Sequence, residues 1–98
     1  MTDDRSELAE MLLAACQLLA RPDNNFDWSS WEDCSAAISE IDRLLEKLKN
    51  DDLPSYSAVS VLFLPTGPMQ EVALSSGWGD EFETLASRFN EVEKRLWR

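Results

Sequence analysis

The sequence predicts an all-α protein, a single-domain bundle of four to five helices spanning residues 1–98. Three observations carry that expectation. Apolar residues recur at spacings of three and four in three separate stretches, the signature of amphipathic helices. Proline and glycine fall where helices begin and end. The chain is 98 residues long with 44% hydrophobic content, enough to bury one core and no more.

Residues 2–20 read as the first helix. Thr2 or Asp3 can cap it, and Asp3, Asp4 and Glu7 sit at the positive end of the helix dipole. Leu8, Met11, Leu12, Ala15, Leu18 and Leu19 supply the apolar side, and Arg21-Pro22 ends the helix. Residues 22–29, PDNNFDWS, are a loop rich in turn formers. Its Phe26 and Trp28 either fold back over the core as lids or stand at the surface.

Residues 29–49 give the clearest helix. Ser29 with Glu32, or Ser30 with Asp33, makes a capping-box pattern. Cys34, Ile38, Ile41, Leu45 and Leu48 step by four and three, a narrow seam for one partner helix. Residues 53–64 are helix or strand. A helix starting near Asp52 places Pro54 in its first turn and ends before Pro65. Alternation of Val59, Val61 and Phe63 instead suggests a hairpin over 57–75, which makes the alternative fold α+β. Helix is preferred, because Pro68 suits a first helical position and Gly77 suits the residue just past a helix end. Asp80 then caps a last helix over residues 81–97, whose Phe82, Leu85, Phe89, Val92 and Leu96 repeat the stepping of the second. The matching seams suggest that these two helices pack along their lengths.

The run LFLPTGPMQEVALSSGWGDEF resembles a segment of small bacterial proteins of unassigned function, over residues 62–89. That resemblance implies a reusable helical piece. In size, acidity and lack of catalytic groups the chain is similar to bacterial immunity proteins. These neutralise a cognate toxin by binding it.

Composition narrows the function classes. The formal net charge is −10, a sign that argues against nucleic acid and anionic membrane surfaces as partners. No run of apolar residues is long enough to cross a bilayer. The acidic start, MTDDRSELAE, lacks the features of a secretion signal, so a cytoplasmic location is expected. No histidine occurs, which removes the commonest general base and every Ser-His or Cys-His nucleophile. Cys16 and Cys34 occupy apolar helix positions and read as reduced core thiols. Asp23, Asn25 and Asp27 have the spacing of a calcium loop, but Trp28 and Cys34 stand where such a loop needs Gly and Glu. No cofactor or metal is expected, and no catalysis. An enzyme built on carboxylates alone would need acids from separate helices to converge.

The acids themselves are unevenly placed. Between Arg21 and Arg43, and again between Lys49 and Arg88, carboxylates occur without any basic neighbour. Aromatic residues lie beside them. Phe26, Asp27, Trp28, Trp31, Glu32, Asp33, Trp78, Asp80, Glu81 and Glu83 therefore form the candidate partner-binding set. The rings would anchor and the charges would steer a basic protein, with an immunity- or antitoxin-type inhibitor of a basic toxin or nuclease as its concrete form. Trp31 and Trp78 fit the core equally well. The alternative is a homodimeric structural or adaptor protein, its helix seams pairing between chains.

Overall fold

The computed structural model describes residues 4–27, 29, 31–64 and 67–97. The elements are α1 (Asp4–Leu19), α2 (Cys34–Lys49), α3 (Tyr56–Ser60) running into a 3-10 turn (Val61–Phe63), α4 (Pro68–Ser76) and α5 (Gly79–Leu96). The described residues contain no strand, so the protein is all-α and the hairpin over 57–75 does not form.

Helix α1 is the axis of the bundle. Leu8, Met11, Leu12, Ala15 and Leu19 are completely buried and spread over a face broad enough for two neighbours. Both α2 and α5 pack against it. Ion pairs fix both as antiparallel to α1: Arg5 meets Asp51 just beyond α2, while Arg95 meets Asp4 at 2.8 Å and Arg21 meets Glu81 at 3.6 Å on α5. This corrects the expectation that α2 and the last helix lie along each other. Their matched seams are both directed at α1, because a repeat of three and four identifies the apolar face without naming the helix that covers it.

Local chemistry sets the boundaries. Helix α2 begins at Cys34, five residues later than the sequence suggests, with the Asp33 carboxylate accepting from the Ala36 N–H at 2.9 Å. Ser29 is not a cap. Its hydroxyl donates to the Pro68 carbonyl and accepts from the Trp31 N–H, which ties the loop to α4. After α2, Asp51 adopts the left-handed conformation (φ 59°), and the Asp52 N–H returns to the Lys47 carbonyl at 2.8 Å. Helix α3 starts at Tyr56 under a Ser55 cap rather than near Asp52. Pro54 precedes it, buried, with its carbonyl accepting from Trp97 Nε1 at 3.0 Å.

Helix α4 opens with Pro68 in its first turn and closes on Gly77 (φ 86°), both as the sequence indicates. Helix α5 begins at Gly79, so Asp80 lies inside its first turn instead of capping it. The caps at Thr2 or Asp3, the Ser30 alternative and Pro65 lie outside the described residues.

Phe82, Leu85, Phe89 and Val92 of α5 are buried in a hydrophobic core that joins every element. At the end where α1 starts, Phe63 stacks on Phe89 (centroids 4.8 Å apart), and Tyr56 and Trp97 complete the aromatic group. Half-buried Trp97 thus closes this end of the core. Cys16 and Cys34 are free thiols at the edge of the core, each partly buried. Burial, and secondarily the charge of Asp42, pushes the Cys16 thiol above its ordinary range.

Candidate functional site

Of the carboxylates that lack basic sequence neighbours, those at 23–33 and 80–83 meet at one end of the bundle, whereas Asp51 and Asp52 lie at the other. The antiparallel arrangement brings the end of α1, the start of α2 and the start of α5 to the same side. The connection between α1 and α2 passes across α4, held by the Asn25 N–H on Ser76 Oγ (2.9 Å) and by Ser29 on Pro68. Asp23, Asp27, Glu32, Asp33, Asp80, Glu81 and Glu83 are all exposed there. Between residues 19 and 33 and between 76 and 83 the only basic residue is Arg21. At the opposite end, Arg5–Asp51, Lys47–Asp52 and Arg95–Asp4 pair charges across or beside the helix ends. The molecule is therefore polarised, with acid balanced only by Arg21 at one end and mixed, paired charge at the other.

Two residues hold the acidic end in shape. Asn24 places its Nδ2 between the carbonyls of Leu18 (2.8 Å) and Leu19 (2.9 Å), satisfying the end of α1, while its Oδ1 accepts from Trp78 Nε1 at 2.8 Å. Trp78 is completely buried at the α4–α5 junction. One amide thus joins a helix terminus to an indole 54 residues away in sequence. The tandem asparagines of PDNN mark a turn, but nothing local points to Trp78. Asn24→Ala leaves the buried Trp78 indole N–H and the Leu19 carbonyl without their partner, while the Leu18 carbonyl keeps the Arg21 N–H at 3.3 Å. It should lower stability by about 1–3 kcal/mol, measured by urea denaturation.

The aromatic part of the candidate set is corrected by the structure. Trp31 is 6% exposed and donates from Nε1 to Glu40 Oε1 at 3.3 Å; Trp78 is fully enclosed. Each indole has its N–H satisfied internally, so both are core residues and neither can anchor a partner in this conformation. Phe26 is half-buried and packs against the core as a lid. Trp28 lies outside the described residues. The acidic members are at the surface as expected, although Asp33 is engaged as the α2 cap.

These acids do not converge on a catalytic pocket. Glu81 faces α1, beside Arg21, whereas Glu83 lines a shallow recess with Phe63, Gln70 and Asn90 on the other side of α5. Among the described residues no group of three carboxylates or thiols is close enough to hold a metal ion. In the calcium-like run, Asn25 Oδ1 is occupied by the Asp27 N–H at 2.8 Å, an ordinary turn closure. No described helix is long and apolar enough to cross a membrane.

Two grooves flank α1. One lies between α1 and α5 at the acidic end, with a volume of about 350 Å³. The other lies between α1 and α2 nearer the opposite end, about 430 Å³, and contains Leu13, Leu45 and Leu48. No protein-family model, curated protein or solved structure matches this chain.

Proposed function

We propose that the protein is a non-catalytic binding module whose acidic end recognises a basic protein, in the manner of an immunity or antitoxin-type inhibitor of a cationic toxin or nuclease. The observation that supports this reading is the polarity of charge. Carboxylates crowd the end where α1 finishes and α5 begins with Arg21 as their sole basic neighbour in those segments, while charges at the other end pair locally. Such a surface raises the encounter rate with a cationic partner and discriminates against anionic ones. The absence of histidine and the divergence of the carboxylates make chemistry a poorer fit than recognition.

The test is binding to a panel of basic nucleases and other basic proteins at low and high salt. A bound member of the panel should lose affinity steeply with ionic strength. Neutralising Asp27, Glu32, Asp80 and Glu83 together (to Asn or Gln) should weaken it about tenfold, four exposed pairs at a few tenths of a kcal/mol apiece. The same charge change at Glu46, Asp51, Asp52 and Glu91 should leave affinity nearly intact. Salt-independent affinity, or equal losses from the two variants, contradicts the reading.

A second reading rests on the α1–α2 groove. Leu13 is 52% exposed there beside half-buried Leu45 and Leu48, the kind of apolar strip that pairs two copies of a chain. Sedimentation at micromolar concentration decides between them: a dimer that Leu13→Glu dissociates supports this face as a self-association surface, and a strict monomer removes it.

A further inference from the structure

We propose that the groove between α1 and α5 is a slot for an arginine side chain of the basic partner, whose guanidinium would compete with Arg21 for the Glu81 carboxylate at the rim. The inference rests on the binding role proposed above and locates it at one place on the acidic end.

The groove has the shape and polarity that a long cationic side chain needs. Ala14 and Leu18 of α1 and Leu85 of α5 supply apolar lining, which suits the methylene stem. Gln17, Thr84 and Glu81 add polar groups to its lining. The surrounding field is negative, since Asp23, Asp27, Asp80 and Glu83 share that end of the bundle. The pocket volume, about 350 Å³, accommodates one large side chain.

The ion pair at its rim identifies the occupant. Arg21 reaches Glu81 at 3.6 Å, and the two side chains keep 46% and 48% of their surface exposed. A pair this open is worth little, so a partner's guanidinium can displace Arg21 with small loss. The incoming group is the same chemical species, a planar fork that matches a carboxylate in two-point geometry. Trp31 and Trp78 are buried and cannot serve as anchors here, so on this reading the partner supplies the anchor and this chain the recess. Displacement also releases Arg21 from the one carboxylate it pairs with at this end.

The prediction is an inverse effect. Removing the internal competitor should strengthen binding, whereas removing its carboxylate should weaken it. The probe is the blocked pentapeptide Gly-Ala-Arg-Ala-Gly, titrated into the 15N-labelled full chain. Amide shifts should concentrate at Ala14, Gln17, Leu18, Thr84 and Leu85. Arg21→Ala should tighten the peptide about two- to fivefold, the range that an exposed ion pair represents. Arg5→Ala makes the same change in net charge at the far end and should leave affinity unchanged. Glu81→Gln should weaken the peptide by a similar factor, and Asp80→Asn, one residue away but outside the groove lining, should not. Equal effects of Arg21→Ala and Arg5→Ala overturn the slot. So do shifts around Asp27, Glu32 and Asp80 that spare the groove, although the acidic end then still stands as a surface for basic partners. Absence of any shift overturns the slot, and the salt-dependence experiment then decides the broader reading separately.

Discussion

Trp78→Ala should remove a large share of the stability of this protein, about 3–5 kcal/mol for an aromatic side chain deleted from a core. The whole fold is worth about 5–15 kcal/mol on the scale of domains this size. The residue is completely buried where α4 hands over to α5. Its own N–H returns to the Ala73 carbonyl at 3.0 Å, closing α4, and its indole nitrogen holds Asn24. Deletion therefore opens a cavity and also strands the amide that satisfies the end of α1. Trp78→Phe separates the two contributions. It keeps most of the apolar contact and loses the indole donor, and should cost about 1–2 kcal/mol. Urea denaturation followed by far-ultraviolet circular dichroism measures both, independently of tryptophan fluorescence. A Trp78→Ala protein as stable as the parent would mean that the indole is outside the core and available to a partner after all.

Gly67→Ala should be more damaging than Gly77→Ala. Gly67 precedes α4 in extended backbone, φ −84° and ψ 173°, a conformation any residue adopts. Its need for glycine comes from proximity. A Cβ there would run into the Val61 carbonyl oxygen, far inside van der Waals contact, and would stand 3.2 Å from the Leu64 carbonyl oxygen. Neither atom is the end of a flexible side chain. The 3-10 turn and α4 would have to separate, and the Gly67 N–H bond to Leu64 (2.9 Å) would go with them. A cost of about 3 kcal/mol or more is expected, the upper range of overpacking that moves backbone. Gly77 is the opposite case. A Cβ meets open space, but φ is 86°, so Gly77→Ala carries only the left-handed penalty of about 1–2 kcal/mol. Denaturation midpoints of the two variants should fall in that order, and the reverse order would show that strain at Gly77, not crowding at Gly67, governs the turn.

The position of Arg21 gives the acidic end its functional interest. Charge patterning along the chain already separates the unpaired acids from the basic residues, because Arg21 to Arg43 and Lys49 to Arg88 are long stretches without a cation. That the acids at 23–33 and 80–83 within these stretches share one end of the molecule follows only from the antiparallel placement of α2 and α5 on α1. The groove needs the same placement, since Leu18 and Leu85 are 67 positions apart and become neighbours only across the α1–α5 contact.

By itself the sequence determined which segments outside residues 53–64 are helical and much of where they stop; over 53–64 it allowed both a helix and a hairpin strand. Spacing of apolar residues, the Pro68 start and the Gly77 end are consequences of backbone sterics and of one helix face needing cover, and both act over a few residues. Tertiary structure decided what those local signals leave open. The repeat of α5 has no means of specifying α1 over α2. An indole is apolar with one polar atom, so Trp31 and Trp78 go inside only because Glu40 and Asn24 arrive to accept their N–H groups. Ser29 forms no cap because a carbonyl from α4 takes its hydroxyl. Apart from Trp31, whose acceptor Glu40 is nine residues on, each of these outcomes depends on a partner distant along the chain, whose arrival is fixed by how three helices share one core.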